Sequence, residues 1–303
     1  MIKALLGPNG AGKSTYLRRL MGLDIGKIDR QMTMVFQEPL LFDLTVKENV
    51  ALGLRFRQDK AVKEKVGRWL ENLGIAHLSA RRTLTLSGGE AQKVALARAF
   101  VLEPKVLLLD EPFANLDLPA QLELRAKLKK IIHDNRVETI WVTHNKAEAL
   151  EIADHLMIMI DRKIVQEGPP ERVVQSPASE EIAVFLGIEN IFHGRVVIND
   201  GRSYFENDRI RFEVATEGKA DAWAVVHPED IIISEQPIAK TSARNTIAGT
   251  VSDIIKSGLT YRILIKAGEE FKVNITRASA DELTLTPGNN VYLTFKATAV
   301  HIT

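Results

Sequence analysis

The chain has 303 residues, 45% of them hydrophobic, which is enough for about two domains with buried cores. Its 40 lysines and arginines nearly balance its 39 aspartates and glutamates, and a net charge of +1 argues against a protein that coats nucleic acid or an anionic membrane. The absence of cysteine excludes disulfides and cysteine-ligated metals, and we expect neither a membrane span of about 18 apolar residues nor a signal peptide.

The first part of the chain, up to about residue 187, alternates short apolar runs with helical stretches. Strands are predicted at residues 2–6, 32–36, 106–109, 139–142 and 156–160. Between them, the apolar residues of segment 59–74 recur with helical spacing and share one face. This alternation predicts an α/β fold, a largely parallel sheet with helices packed on it.

After residue 191 the pattern changes to short β-branched runs separated by glycine and asparagine turns. These runs are residues 194–198, 210–214, 223–226, 231–234, 249–256, 261–266 and 271–276. The pattern is typical of an antiparallel barrel or sandwich. We therefore expect one domain over residues 1–189 and an all-β domain over residues 190–303.

A phosphate-binding loop is predicted directly after the first strand. Residues 7–14, GPNGAGKS, have the pattern G-x-x-x-x-G-K-S, and a helix follows them. Glycines let the backbone N–H groups of such a loop point at phosphate oxygens, and the helix adds its positive N-terminal end. Lys13 can reach the β- and γ-phosphates, and the Ser14 hydroxyl can ligate Mg²⁺. A glycine-rich turn without a ligand is the alternative, but it does not require the complete pattern.

Two carboxylates follow a predicted central strand in the segment VLLLDEP at residues 106–112. Ligands of open α/β sheets bind at the C-terminal ends of the strands. Asp110 is therefore placed to hold Mg²⁺, and Glu111 to polarise the water that attacks a phosphate. A solvated acidic turn is the alternative, and the phosphate loop in the same chain favours the functional interpretation.

The segment LSGGE at residues 86–90 begins another predicted helix. Ser87 and Glu90 have the spacing of a capping box, which explains both residues as helix-capping groups. It does not explain Gly88 and Gly89, because glycines in the first turn lower helix propensity. They let the backbone approach a large anion, so this helix N-terminus is a second candidate phosphate surface.

Residues 1–187 resemble the ATPase subunits of ATP-binding cassette (ABC) transporters. The resemblance lies in the phosphate loop, the LSGGE segment, the two carboxylates, Gln37, residues 114–117 and His144, which occur in that family's order. In the family two copies face each other head to tail. Each ATP lies between the phosphate loop of one copy and the LSGGE-type segment of the other. The resemblance implies a P-loop NTPase cassette with a helical subdomain at about residues 40–86. It also implies a homodimer with ATP and Mg²⁺ as ligands.

The resemblance also implies a role for each matching residue. Glu111, His144 and Gln37 would be catalytic, with His144 orienting Glu111 and Gln37 sensing the membrane partner. Mg²⁺ would be held by Ser14, Gln37 and Asp110. ATP would contact Gly7, Pro8, Asn9, Gly10, Ala11, Gly12, Lys13, Ser14 and Thr15 of one copy and Ser87, Gly88 and Gly89 of the other, with Asp117 linking the two sites.

The C-terminal region resembles the oligonucleotide-fold-like (OB-like) domains appended to importer ATPases. Residues 241–303 are similar to the molybdate- and tungstate-binding module (TOBE or Mop-like). Hydroxyls and nearby cations hold a tetrahedral dianion well, and the candidates are Ser242, Arg244, Lys256, Ser257, Thr276, Ser279 and Lys296. Exposed turns often carry such residues without a ligand, so the module could instead only pair the subunits.

Two segments are shorter than in the resembling family. Six residues precede the phosphate loop, where the family has an antiparallel sheet with an adenine-stacking aromatic, and Gln37 follows Lys13 by only 37 − 13 = 24 positions. We expect ATP affinity to be roughly tenfold to a hundredfold lower without that ring, unless Tyr16 or Phe42 substitutes. A start upstream of Met1 is favoured over a compact variant.

These features predict the ATPase subunit of a molybdate or tungstate importer at the cytoplasmic face of the membrane. Its partners would be integral membrane permease subunits and, indirectly, an extracytoplasmic oxyanion-binding protein; no nucleic-acid partner is expected. One alternative is an importer ATPase for another anion such as sulfate. Another is an oxyanion sensor or storage protein with an impaired cassette, which would bind oxyanion tightly without ATP turnover.

Overall fold

The computed structural model describes residues 1–114 and 116–303. Asn115, which belongs to the predicted segment 114–117, and the side chain of Ser257 lie outside the described residues. Contacts divide the chain into two compact units, Met1–Pro170 and Glu171–Thr303. This division comes earlier in the chain than the expected boundary at residues 189–190, because Ala183 and Ile188 are buried together with Val225 of the β region. The functional domain limits stay predictions.

The first unit contains one six-stranded sheet and the helices that cover it. Its strands are β1 (Ile2–Leu6), β2 (Met32–Val35), β3 (Val106–Asp110), β4 (Glu138–Thr143), β5 (His155–Ile160) and β6 (Lys163–Gly168). Its helices are α1 (Lys13–Met21), α2 (Val46–Phe56), α3 (Val62–Asn72), α4 (Gly88–Phe100), α5 (Leu118–Asp134) and α6 (Lys146–Ile152), with 3₁₀ turns at Leu23–Ile25, Ala76–Leu78 and Thr83–Thr85.

The strand order of this sheet is β2-β3-β4-β1-β5-β6. The first five strands run parallel, and β6 is antiparallel to β5. Strands β1, β3, β4 and β5 are almost entirely buried, as expected for parallel strands covered on both faces. The sequence-based prediction of an α/β fold with a parallel sheet is confirmed. The order places the C-terminal ends of β2, β3, β4 and β1 side by side.

Helices α2 and α3 lie within the segment predicted as a helical subdomain, and α4 follows it directly. Helices α2, α3 and α4 contact one another, and Trp69 of α3 stacks on Phe100 of α4 with ring centroids 4.9 Å apart. Thr45 caps α2 in a reciprocal capping box with Glu48. Each such cap contributes about 1 kcal/mol to helix stability.

The second unit is an all-antiparallel β domain preceded by two short helices, α7 (Pro170–Gln175) and α8 (Glu180–Leu186). Its strands are β7 (Asn190–Asn199), β8 (Arg202–Glu206), β9 (Arg211–Val214), β10 (Lys219–Val226), β11 (Ile232–Ser234), β12 (Asn245–Ser257), β13 (Thr260–Ala267), β14 (Glu269–Thr276), β15 (Asn290–Phe295) and β16 (Val300–Ile302), and helix α9 (Arg277–Glu282) follows β14. They form two five-stranded sheets, β16-β10-β7-β8-β9 and β11-β15-β12-β13-β14.

One buried core joins the two sheets of the β domain. Phe192, Phe212, Phe271 and Phe295 from both sheets are in ring contact. Asn190, which is fully buried, accepts a hydrogen bond from the backbone N–H of Lys272 at 2.6 Å and so ties β7 to β14. The expected all-β C-terminal region is confirmed. Within the described residues, no helix combines the length and the apolar character required to cross a bilayer.

Candidate nucleotide site

The predicted site residues converge on the C-terminal edge of the parallel sheet. The ladders pair Leu6 with Thr143 and Asp110 with Val142, so β1, β3 and β4 end level with one another. The segments that follow these ends are, in order across the sheet, Gln37, Asp110 with Glu111, His144 and the loop at residues 7–12. Four segments that are far apart in the sequence therefore meet at one edge, where open α/β sheets bind ligands.

The phosphate loop is folded tightly around a lysine. Gly10 and Gly12 have φ angles of 81° and 90°, which side chains rarely adopt. The Lys13 ammonium donates hydrogen bonds to the carbonyls of Gly7, at 2.8 Å, and Pro8, at 2.9 Å. Burial lowers the pKa of Lys13, while the nearby Glu111 and Asp110 oppose that shift. A cation enclosed by a glycine-rich loop at a helix N-terminus fits a polyphosphate.

Strand β5 and the turn that follows it pack against this loop. A β-carbon added to Gly7 would lie 2.2 Å from the carbonyl oxygen of Met159. The Arg162 N–H donates to the carbonyl of Ala11 at 3.0 Å, and the Arg162 side chain packs on Gly12. Gly7 and Gly12 are therefore needed for close packing.

Ser14 and Asp110 form the candidate Mg²⁺ position. The Ser14 hydroxyl donates to Asp110 Oδ1 at 3.0 Å. Burial raises the pKa of Asp110, an effect that the hydrogen bond from Ser14 opposes and the Glu111 charge adds to. A buried carboxylate beside a hydroxyl supplies the hard oxygen ligands that Mg²⁺ prefers, completed in such sites by phosphate oxygens and water. In the part of the chain that the structure describes, no group of three or more His, Asp or Glu residues could hold a metal alone.

Glu111 and His144 form a pair beside this position. His144 Nδ1 lies 3.1 Å from Glu111 Oε1, and both side chains border a cavity of about 150 Å³. Glu111 has a φ angle of 44°, which costs a side-chain-bearing residue roughly 1–3 kcal/mol. Its backbone N–H donates to the carbonyl of Val142 at 3.0 Å, so the neighbouring strand holds this strained position. The carboxylate is thus aimed by the backbone and held by the imidazole.

The helix α4 begins with the capping box that the sequence predicts. The Ser87 hydroxyl accepts a hydrogen bond from the Glu90 N–H at 3.3 Å, and the Glu90 carboxylate accepts one from the Ser87 N–H at 2.8 Å. The second glycine of this turn, Gly89, would place a β-carbon 3.2 Å from Leu116. Asp117 caps the next helix by accepting from Ala120 N–H at 3.0 Å. The glycine turn and the segment before α5 are therefore neighbours.

The comparisons with known proteins agree with this geometry. Residues 1–114 match a family model described as ABC transporter, and residues 241–302 match one described as TOBE domain. The molybdate/tungstate import ATP-binding protein WtpC of Pyrococcus abyssi is 37% identical, over 98% of this chain and 91% of that protein. The chain belongs to the ABC transporter ATP-binding family.

Other ABC relatives differ in their stated cargo. The sulfate/thiosulfate import ATP-binding protein CysA of Thermosynechococcus vestitus is 35% identical, over 96% of this chain and 87% of that protein. Among solved structures, cbiO1 of Clostridium perfringens, part of the ABC transporter complex cbiONQ, is 29% identical with a TM-score of 0.52, covering 57% of this chain and 78% of that one. The expected family, cassette fold and C-terminal TOBE domain are confirmed.

Two residues of the ABC cassette that the sequence analysis missed hold its functional segments in place. Arg98 of α4 donates to the carbonyls of Pro39 and Leu40, both at 2.9 Å, and so fixes the chain just after the exposed Gln37. Gln121 of α5 donates to the carbonyl of Leu116 at 2.8 Å. Both bind backbone carbonyls of loops, and no sequence motif marks such contacts.

The two aromatic residues considered as adenine partners lie in different surroundings. Tyr16 is half-buried and packs against the core cluster of β1 and α1. Phe42 is 56% exposed and borders an apolar groove between α2 and α4. The Tyr16 ring packs more closely than the Phe42 ring, and an adenine contact from either ring stays a prediction.

The candidate oxyanion residues lie at opposite ends of one sheet of the TOBE-containing unit. Asn245, at the start of β12, pairs with Phe295, so Arg244 and Lys296 flank the same end of the sheet, with Ser242 just before them. Lys256, Thr276 and Ser279 lie at the other end, where β12, β13 and β14 turn. The 13 residues of β12 span about 40 Å along the strand. One chain alone does not bring the whole set together.

Proposed function

We propose that the chain is the ATP-hydrolysing subunit of an ABC importer for molybdate or tungstate. It acts as a homodimer bound to permease subunits at the cytoplasmic face of the membrane. The observation that carries the ATPase part of the proposal is the Glu111–His144 pair, 3.1 Å apart, beside the phosphate loop and the Ser14–Asp110 contact.

The side chains at the sheet edge account for each need of phosphoryl transfer. Glu111 Oε2 is available to accept a proton from the attacking water, while His144 donates its Nδ1–H to Oε1 and fixes the orientation of the carboxylate. Lys13 and the loop N–H groups hold the β- and γ-phosphates. Mg²⁺ held by Ser14, Asp110 and Gln37 would neutralise charge on those phosphates.

A homodimer would complete the site. Among the described residues, no hydrogen bond or ion pair joins Ser87, Gly88 or Gly89 to the phosphate loop of the same chain. The phosphate loop and the α4 N-terminus are both candidate phosphate-binding surfaces, but they do not meet in one chain. Both would be used if a second copy supplied its α4 N-terminus to the phosphate loop of the first. This supports the head-to-tail arrangement that the family resemblance implies.

An apolar groove supports a permease partner. The groove has a volume of about 520 Å³ and lies between β2, α2 and α4, directly after the Gln37 segment. Phe42 and Phe56, which are 56% and 82% exposed, border it. An apolar cleft with exposed aromatic side chains beside a residue that contacts the nucleotide site is suited to a short helix of a membrane partner.

Two kinds of observation support a tetrahedral oxyanion as the cargo, and the titration described below separates molybdate and tungstate from sulfate. The relatives named for molybdate/tungstate import and those named for sulfate/thiosulfate import are similarly identical to this chain. Within the C-terminal unit, Arg244 and Lys296 flank one sheet end, and neither has an ion-pair partner among the described residues. By contrast, a cavity of about 600 Å³ near His193 is lined by two arginines and four carboxylates, a balance that disfavours an anion.

The ATPase part is tested with Glu111→Gln, which keeps the side-chain shape and removes the proton acceptor. MgATP hydrolysis should stop, while MgATP binding persists and dimers accumulate in sizing experiments with light scattering. Glu138→Gln is the matched control, because this exposed carboxylate lies at the opposite edge of the same sheet. Unchanged hydrolysis by Glu111→Gln refutes the assignment.

The cargo part is tested by calorimetric titration of the full chain with tungstate, molybdate and sulfate, and of Arg244→Ala and Lys296→Ala. Binding of tungstate and molybdate but not sulfate, weakened in both variants, supports the proposal. Preferential binding of sulfate selects the sulfate alternative. Uptake by vesicles containing the assembled importer then measures the cargo directly.

A further inference from the structure

A buried carboxylate lies under the His144 segment and belongs to none of the sequence motifs. Glu148 lies on α6, four residues after His144, and is only 7% exposed to solvent. It borders the same cavity of about 150 Å³ as Glu111 and His144. A carboxylate in this position is costly, since ionised groups lose hydration on burial.

Glu148 makes three bonds of a four-bond network that reaches the residues on both sides of His144. Its Oε1 accepts from the indole N–H of Trp141 at 3.1 Å, and its Oε2 accepts from the Thr143 hydroxyl at 2.7 Å. The Thr143 Oγ1 in turn accepts from the Asn145 N–H at 3.0 Å. The Asn145 side chain accepts from the Glu148 N–H at 3.1 Å and closes the ring.

This ring fixes the backbone that carries the imidazole. Thr143 and Asn145 are the immediate neighbours of His144. Thr143 is bonded to the Glu148 carboxylate, and the Asn145 side chain is bonded to the Glu148 backbone N–H. Trp141 is itself fixed, because it packs edge-on against Phe113 with ring centroids 5.2 Å apart. His144 is exposed on the cavity side, so its direction is set from below by these contacts rather than by burial of its own ring.

Stability alone does not explain the choice of residue. Burial raises the pKa of Glu148, a shift that the Thr143 hydrogen bond, the Arg125 charge, the Trp141 hydrogen bond and the His144 charge oppose. Buried ionic groups are often replaced by apolar residues without loss of stability. A carboxylate that is costly to bury, placed against a catalytic cavity and bonded on both sides of one histidine, fits a group that holds geometry.

We propose that Glu148 is a positioning residue that holds the His144 segment so that Nδ1 stays within hydrogen-bond distance of Glu111. The inference rests on the proposed ATPase function. It adds that the geometry of the catalytic pair depends on a buried side chain that acts through the residues on both sides of His144. Loosening it should lower kcat, since misplacement of a catalytic group by about 1 Å can reduce rates by up to a hundredfold.

The decisive variants break the ring at different bonds. Glu148→Gln keeps the volume but offers one acceptor oxygen where Trp141 and Thr143 need two. Thr143→Val removes the hydroxyl at nearly constant shape, and Thr143→Ser restores it. Leu150→Ala is the control on the outer face of the same helix, where Leu150 is 40% exposed and has no part in the ring.

For each variant we would measure kcat and KM for MgATP, MgATP binding, and the melting temperature. We expect kcat to fall about tenfold or more in Glu148→Gln and Thr143→Val, with KM and binding within about twofold. Thr143→Ser should recover most of the rate that Thr143→Val loses, and Leu150→Ala should match wild type.

The outcomes separate this inference from the function on which it rests. If wild type binds MgATP but does not hydrolyse it, the ATPase proposal fails. If wild type hydrolyses and Glu111→Gln does not, while Glu148→Gln and Thr143→Val keep wild-type kcat, only the positioning role is overturned. A lowered melting temperature with unchanged kcat also overturns it, because that result assigns the ring to folding alone.

Discussion

Replacing Gly7 with alanine should disable the phosphate loop through a steric clash with a neighbouring strand. The new β-carbon would lie 2.2 Å from the carbonyl oxygen of Met159, whereas carbon–oxygen contacts in proteins are usually about 3.3–3.6 Å. The two groups must therefore separate by about 1 Å. Met159 belongs to β5, which is paired on both sides with β1 and β6, so the loop is the part that moves.

The free-energy cost of the Gly7→Ala clash can be estimated from this displacement. Overpacking of this kind costs about 1–3 kcal/mol, and each 1.4 kcal/mol is a factor of about ten in affinity. If the strain appears in the loop that binds phosphate, MgATP affinity should fall between about fivefold and a hundredfold. Since the φ angle of Gly7 is not in the left-handed region, the clash and not backbone preference causes the loss.

The assay is calorimetric titration with MgATP in a Glu111→Gln background, which prevents turnover, together with a thermal melt. Gly67→Ala is the matched control, because no atom lies within 4 Å of its added β-carbon and it sits inside α3. That control should bind like the parent and gain up to about 1 kcal/mol of stability. Parental affinity and melting temperature in Gly7→Ala would refute the reasoning.

Three further predictions concern charge and packing. Asp110→Asn should raise the melting temperature near neutral pH, since burial raises the pKa of Asp110 and so disfavours its ionised form in the folded protein. This gain should shrink as the pH falls through that raised pKa toward the ordinary pKa of 3.8, and calorimetric melts across this range would measure it. Phe100→Ala should cost about 3–5 kcal/mol in urea unfolding followed by far-UV circular dichroism, because the ring that stacks on Trp69 is 1% exposed. Asn190→Ala should cost about 1–3 kcal/mol for each buried backbone group left unpaired, seen as a lower melting temperature, and an unchanged melt would contradict the role of this residue in joining the sheets.

The sequence predicted the strands that carry continuous apolar runs. Residues 106–109 and 156–160 consist largely of leucine, methionine and isoleucine. These apolar runs alone predict a strand that is buried on both faces. The strands β6, β8, β15 and β16 were missed, and the edge strand β6 shows one physical reason. Strand β6 is mostly exposed at the edge of its sheet, and its mixed sequence KIVQEG has no clear period. Such strands are defined by backbone pairing with a neighbour, and this is not written in their side chains.

The motifs of the candidate site could be found in the sequence because each is contiguous. A glycine loop, a strand ending in two carboxylates and a capped glycine turn each occupy only a few residues of sequence. The residues that hold those motifs in place were not predictable. Arg98, Gln121 and Glu148 act through loops or strands that are close in space but carry no local signature.

The oxyanion candidates mark the limit of what residue type can predict. Serine, threonine, lysine and arginine occur at many turns, and their sequence spacing does not tell which end of a sheet each turn occupies. The register decides it, because Asn245 opposes Phe295 whereas Ser257 opposes Thr260. The cations Arg244 and Lys296 are thereby separated from Thr276 and Ser279 by the length of β12. An anion held by these candidates in one chain would therefore contact only one end of the sheet, and the end with Arg244 and Lys296 would provide the stronger attraction.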